Sequence, residues 1–198
     1  MAAESRQQTI EDFLGSTRVF ASALADVLEA ALLRQVAGSR VTVPQLKLLK
    51  LVTLTDKHII GDVAAFLGVS AAGASKAVDK LVRRALLRRT EGTADRRACE
   101  LSLTPSGLRL LAAYETAKKE KLARIFGRTA PEELNRVAEV LDRLTAAIVD
   151  HTAKPEEICL QCGIYFREKC LLRELVRRTC FYQSHKVRKE NPSSPHVT

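Results

Sequence analysis

The segment that most constrains the fold runs from residue 70 to residue 107, where a helical pattern is followed at once by an alternating strand pattern. Ser70 is a favourable helix N-cap, and the apolar residues after it recur at helical spacing. A short basic run, a loop that contains Gly92 and an alternating strand come next. The segment therefore predicts one helix beside a β-hairpin. The apolar helix positions are Ala74, Val78, Leu81, Val82 and Ala85.

Basic side chains dominate this segment. Residues 70–105 hold eight lysines and arginines against four acidic residues, a net charge of +4. The outward face of the helix is small and polar at its N-terminal end, so it can approach base edges in a DNA major groove. An ordinary solvated charged face is the alternative, but a basic helix followed by a basic hairpin favours nucleic acid. The outward positions are Ser75, Lys76, Asp79, Lys80 and Arg83.

Four motifs in and before this segment resemble the MarR-type winged helix-turn-helix transcription regulators. They are Leu-Gly-Val-Ser at 67–70, Lys-Leu-Val at 80–82, Asp-Arg-Arg at 95–97 and Ser-Leu-Thr-Pro-Ser-Gly at 102–107. The resemblance covers roughly residues 10–150. It implies a mainly α fold with a small β wing, in which a winged helix-turn-helix domain lies inside a helical dimerisation domain.

The resemblance also implies a homodimer bound to double-stranded DNA. Two recognition helices would enter successive major grooves about 10 base pairs apart, so the operator would be a pseudopalindrome. Ser70, Ser75 and Lys76 would lie in the major groove, whereas Arg96 and Arg97 would reach the minor groove or its phosphates. The complete set of predicted DNA-binding residues is Ser70, Ser75, Lys76, Lys80, Arg88, Arg96 and Arg97.

One position departs from the family pattern. Ala85 stands where the resembled family usually has glycine, between the recognition helix and the wing. Glycine there suits a positive φ, so alanine either costs about 1 kcal/mol or marks a slightly different turn.

The overall composition agrees with a nucleic-acid partner. The chain of 198 residues has a formal net charge of +9, which would also suit an anionic membrane surface. It has no tryptophan and three tyrosines, which argues against stacking of single-stranded bases. No segment approaches about 18 uncharged apolar residues, and the N-terminus is too polar for a signal peptide. We therefore expect a cytoplasmic protein without a membrane segment.

Helical patterns flank the central segment. Residues 5–37 predict one long amphipathic helix ended by Gly38, which the resembled family uses for dimerisation and to wall an effector pocket, although the pattern equally fits a core helix. Pro44 begins a second helix, and Gly68 ends a short third one. A helix over 104–126 is expected to bury Leu108, Leu111, Ala112 and Leu122 and to expose Lys118, Lys119 and Lys121.

The last strong helical pattern follows Pro131 and has apolar residues at alternating spacings of three and four, which is typical of a helix-packing seam. With the first helix, this seam would build the two-fold dimer. Its members are Leu134, Val137, Leu141, Leu144 and Ile148. The predicted organisation is an N-terminal dimerisation helix (1–40), a DNA-binding domain (41–107), C-terminal dimerisation helices (108–153), a cysteine-rich extension (154–183) and a disordered basic tail (184–198).

Four of the five cysteines lie close together beyond the extent of the family resemblance: Cys159, Cys162, Cys170 and Cys180. The Cys-x-x-Cys pair can direct two thiolates at one cation. A continuous helix from 170 to 180 would separate its ends by about 15 Å, so the fourth ligand is open, with His151 and His185 as candidates. A [4Fe-4S] cluster, zinc and no metal at all remain the alternatives. Cys99 alternates with leucines and is expected to be a buried thiol, with a redox sensor as the alternative.

The function predicted from these features is a homodimeric, sequence-specific DNA-binding transcriptional regulator, a repressor or an activator, whose affinity an effector changes. Effectors in the resembled family include aromatic carboxylates, acyl thioesters, oxidants and metals. The alternative is a redox or electron-transfer protein that uses the cysteines, with the winged helix as a protein-interaction module. Because no phosphate-binding loop or catalytic constellation is recognisable, an enzyme is not expected.

Overall fold

The computed structural model describes residues 2–54, 60–91 and 99–150. Within these ranges the chain is mainly helical with one two-stranded antiparallel sheet, as predicted. None of the described helices is long and apolar enough to cross a membrane. The elements in chain order are α1 (Ala2–Ser22), a π-helical segment (Ala23–Ala30), α2 (Ala31–Ala37), a 3-10 turn (Gly38–Arg40), α3 (Val43–Leu54), α4 (Ile60–Leu67), α5 (Ala71–Arg83), β1 (Leu87–Glu91), β2 (Cys99–Leu103), α6 (Pro105–Phe126) and α7 (Pro131–Asp150).

The predicted first helix is confirmed as one helical run, but its middle is not a regular α-helix. The backbone keeps right-handed helical angles at Ser22 and Ala31, on both sides of the π-helical segment. The run ends at Gly38, whose φ of +63° favours glycine. Most of its apolar stripe is exposed rather than packed in a core. The exposed apolar members are Ile10, Phe13, Leu14, Val19, Phe20 and Val27.

The hydrophobic core joins the end of this run to the central domain. Helix α3 buries one side on α4, α5 and α6, while α2 packs on α6. The predicted burial of the α3 leucines and of the inner face of α5 is confirmed. The fully buried members of this core include Leu33, Leu46, Leu48, Leu49, Leu51, Val63, Val78, Leu81, Leu87 and Tyr114.

Helix α5 ends two residues earlier than its apolar pattern suggested. Ala85 is exposed and has φ of +54°, so it is not on the buried helical face. Its N–H donates to Val82 O at 2.9 Å, and the N–H of Leu86 donates to Leu81 O at 3.0 Å. These two bonds form a Schellman C-cap, in which the left-handed position is normally glycine. Of the two possibilities for Ala85, the strained positive-φ turn is the one observed.

Ala85→Gly should therefore raise the free energy of unfolding by about 0.5–1 kcal/mol, because it removes the Cβ strain at a positive φ. The extra conformational entropy that glycine gives the unfolded chain offsets only part of this gain. Thermal or urea denaturation measures the difference. Ala77→Gly, the same exchange inside α5, is the matched control and should lower stability by about 1 kcal/mol. A destabilising Ala85→Gly would show that the turn does not have the left-handed geometry.

The hairpin pairs β1 with β2 in register Leu87↔Leu103, Arg88↔Ser102 and Arg89↔Leu101. Leu87 and Leu101 are buried. Because side chains alternate along a strand, Arg89 shares the inner face with these leucines, whereas Arg88 lies on the opposite, solvent face. The predicted strands are thus confirmed, and the predicted arginine tip, residues 92–98, lies outside the described residues.

Helix α6 begins as predicted, with Thr104 as N-cap and Pro105 at its first position; Thr104 Oγ1 accepts from the Gly107 N–H at 3.1 Å. Its buried face carries Gly107, Leu111 and Tyr114. The expected burial of Leu108 and Ala112 is wrong: both lie beside that face, and Leu108 is 53% exposed. Lys118 was expected in solvent, but its side chain is largely covered.

A cluster of charged side chains joins α3 to α6 and explains the covered Lys118. Glu115 forms ion pairs with both lysines: Oε1 lies 2.8 Å from Lys50 Nζ, and Oε2 lies 2.6 Å from Lys118 Nζ. Burial alone would raise the pKa of the Glu115 carboxyl, but the two ammonium groups outweigh it and hold that pKa below its usual value. Burial lowers the pKa of Lys50, and it raises that of nearby Glu29. The cluster therefore links α3 to α6, and Glu29 in the π-helical segment lies within the electrostatic influence of the same two lysines.

Candidate nucleic-acid interface

Helix α5 is placed by its two ends and by its buried face. Ser70 caps the N-terminus, with extended backbone angles and a 3.2 Å bond from the Gly73 N–H to Ser70 Oγ. Ala74, Val78 and Leu81 anchor the helix to the core. This anchoring turns the opposite face to solvent along the full length of the helix, about 20 Å.

The predicted DNA-contacting side chains of α5 fall on that solvent face or at its edge. Lys76 and Lys80 are exposed and lie one turn apart. Ser75 is half-buried on the flank of the helix, and Ser70 is exposed but already uses its Oγ as a cap acceptor. The two lysines are therefore placed together, and the two serines border them on different sides.

A second feature ties the hairpin to the helix. Arg89 Nη1 lies 3.8 Å from Asp79 Oδ1 on the outward face of α5. Both side chains are about half exposed, so the pair contributes little to stability but orients the first strand of the hairpin against the helix. Sequence reasoning did not identify this pair, because residues ten positions apart on a helix and a strand show no local pairing signal.

Of the predicted DNA-binding residues in the hairpin, the structure describes Arg88. Arg88 is exposed on the solvent face of β1, away from the Arg89 side. Arg96 and Arg97 lie outside the described residues. The described part of the interface is thus the capped helix α5, its two exposed lysines and the base of a basic hairpin.

The predicted metal site also lies outside the described residues, with all four of its cysteines: Cys159, Cys162, Cys170 and Cys180. The described ranges contain no group of three or more histidine, cysteine, aspartate or glutamate side chains placed to hold a metal ion. The side chain of Cys99 is likewise outside the description. The choice among an iron-sulfur cluster, zinc and no metal stays as the sequence left it.

Known proteins share both sequence and fold with this chain. A model of the MarR family matches residues 41–98. RV1404 from Mycobacterium tuberculosis is 26% identical, with a TM-score of 0.58, over 69% of this chain and 92% of that one. The MarR family transcription regulator SP03579 is 21% identical, with a TM-score of 0.63, over 77% and 100% of the two chains.

A further similar structure is Streptococcus pneumoniae FabT, determined in complex with DNA, which is 21% identical with a TM-score of 0.59 over 74% of this chain and 99% of that one. A search of curated proteins found no match. The family match spans α3, α4, α5 and β1, which are the elements that build the interface described above. Residues 41–98 are therefore similar to the MarR-family domain, and the described part of the chain shares its fold with solved MarR-type regulators.

Proposed function

We propose that this protein is a homodimeric, sequence-specific DNA-binding regulator of transcription that acts on a pseudopalindromic operator. The observation that carries the proposal is the capped helix α5, which presents Lys76 and Lys80 to solvent beside a basic hairpin whose Arg89 lies 3.8 Å from Asp79 of the helix. A helix so presented fits a major groove, and a hairpin at its side reaches the flanking backbone. The family of the matching domain comprises transcription regulators rather than enzymes.

Two exposed apolar surfaces support the homodimer. One is the stripe on α1 and the π-helical segment, and the other lies on α7, where Val137 is 53% and Ile148 66% exposed. Stripes of this length on a monomer mark an interaction surface. A two-fold dimer through them would set two α5 helices on one side of the assembly, as a palindromic site requires.

Effector control is the third part of the proposal. A ligand or metal that shifts the dimer helices would change the spacing of the two recognition helices, and so the fit to both half-sites. An aromatic carboxylate or its thioester is one class of effector, and a metal centre on the tail cysteines is another. Metal analysis and the absorption spectrum of protein purified without oxygen distinguish an iron-sulfur cluster, zinc and a metal-free tail.

DNA binding itself is tested by selecting sequences from a random duplex pool with the full chain, followed by titration of the selected site. We expect an inverted repeat with half-sites about one helical turn apart. Lys76→Ala should weaken binding by about 10- to 100-fold, because the dimer loses one contact in each half-site. Lys121→Ala, at an exposed lysine of α6, is the matched control and should leave the affinity unchanged.

The wing is tested in the same titration. Arg96→Ala with Arg97→Ala should lower both the affinity and the steepness of its salt dependence, since phosphate contacts release counterions. A redox protein with a winged helix used only for protein contacts would show no enriched DNA sequence and no effect of these substitutions. That result would overturn the proposed function.

A further inference from the structure

A cavity of about 280 Å³ lies among the end of α2 with the turn after it, the end of α5 and the start of α6. Its lining includes Arg40 in the turn after α2, Arg84 at the C-cap of α5 and Arg109 in the second turn of α6. Three arginines therefore line one small space, and none of the described lining residues is acidic.

Neutral contacts hold each of these arginines in place. Arg84 Nη1 donates to Gln45 Oε1 at 3.2 Å, and Gln45 is only 5% exposed. Arg109 Nη2 donates to Ser106 Oγ at 3.0 Å, and Arg40 Nε donates to Ala37 O at 3.4 Å. Within the described ranges these bonds use one donor of each guanidinium, which carries five, so donors remain there for a ligand.

Most of the rest of the lining is apolar and favours a ligand that also carries an organic group. Val36, Leu86 and Leu110 provide an apolar wall beside the arginines. The volume of about 280 Å³ accommodates a small organic group beside a phosphate. A monocarboxylate offers two oxygens and one charge, enough for one guanidinium fork, whereas a phosphate monoester offers three oxygens and two charges.

We propose that this cavity binds a small phosphate monoester, with its phosphate among Arg40, Arg84 and Arg109 and its organic group on the apolar wall. Operator DNA is not the occupant we infer, although Lys80 lies only one turn from Arg84, because a backbone phosphate carries no organic group for the apolar wall. A ligand here would link α6 and the turn after α2 to the end of the recognition helix α5. Only that regulatory consequence rests on the proposed function; the site itself does not.

The site is tested by calorimetric titration of the full chain without DNA, at constant ionic strength, with phenyl phosphate as the probe and benzoate as its monoanionic counterpart. We expect saturable binding of phenyl phosphate with a Kd of about 1 mM or tighter, and weaker binding of benzoate. Arg40→Gln and Arg109→Gln should each weaken phenyl phosphate binding by about tenfold or more. Arg84 is left intact because it also satisfies buried Gln45.

Arg124→Gln is the matched control: this exposed arginine is on α6 like Arg109 but does not line the cavity, so its removal should change the Kd less than about twofold. Equal losses in all three variants would reveal general attraction to a basic protein and overturn the proposal. So would an absence of saturable binding, or a loss of DNA affinity in Arg40→Gln and Arg109→Gln without any change in phenyl phosphate binding. DNA binding that fails while phenyl phosphate still binds would reject only the proposed function.

Discussion

Gly107→Ala is expected to lower the free energy of unfolding by about 3 kcal/mol. Gly107 is buried in the first turn of α6, and a Cβ at this position would fall on the carbonyl oxygen of Leu86. That oxygen is backbone, not the end of a flexible side chain, and it already accepts the Thr104 N–H at 3.2 Å. The strain can therefore be relieved only by separating α6 from the turn that ends α5.

The same junction carries two further bonds that a displacement would disturb. The Gly107 N–H donates to Thr104 Oγ1, and the Thr104 hydroxyl donates to Ala85 O at 2.6 Å. The substitution should lower Tm by roughly 6–12 °C for a chain of this size, and should weaken operator binding because α5 is repositioned. These contacts give a physical reason for Thr104 and Gly107 in the motif at 102–107.

Gly61→Ala is the matched control for this prediction. Gly61 is exposed in the first turn of α4, and no atom lies within 4 Å of the position that its Cβ would take. We expect this variant to be unchanged or up to about 1 kcal/mol more stable. Differential scanning calorimetry of both variants decides the matter. A Gly107→Ala protein as stable as the parent would contradict the close approach of α6 to Leu86.

The elements of the interface were predictable because their signals are local. Ser70 marks a helix start, Gly68 a helix end and the leucines of β1 and β2 an alternating strand pair, and each feature needs only neighbours in sequence. Even the positive φ of Ala85 was one of two possibilities that its position allowed. The family resemblance added the arrangement of these elements, which periodicity alone does not determine.

What the sequence could not supply is contact between distant residues. The Lys50–Glu115 pair and the convergence of Arg40, Arg84 and Arg109 depend on how α2, α3, α5 and α6 pack. Burial of the α6 face was misjudged for the same reason. Leu108 is as apolar as Leu111, but the approach of Gly107 to Leu86 selects which side of the helix turns inward.

The apolar seam on α7 remains largely uncovered in the single chain. Its members were expected to pack, yet the side that α7 buries within the chain carries Ala146 and Val149. Most of the seam faces solvent instead. A seam that a single chain leaves open requires another surface to cover it, and a second copy of the chain offers the same stripe by symmetry. The exposed apolar residues of α7 are Leu134, Val137, Val140, Leu144 and Ile148.

Val137→Glu combined with Ile148→Glu should convert the proposed dimer to a monomer. Burying two carboxylates per subunit in an apolar interface costs several kcal/mol, so the dimer should dissociate at least 100-fold more readily. Folding of the single chain should persist, since both positions are more than half exposed. Sedimentation equilibrium measures the assembly, and far-ultraviolet circular dichroism verifies the fold.

Operator affinity should fall together with the dimer, because a monomer reaches one half-site and loses the gain from binding two at once. Asn135→Glu is the control: it adds a carboxylate on an exposed side of α7 that points away from the seam, and should leave both assembly and DNA affinity intact. A double variant that still sediments as a dimer would remove α7 from the interface. The exposed stripe on α1 and the π-helical segment would then have to hold the two subunits together without it.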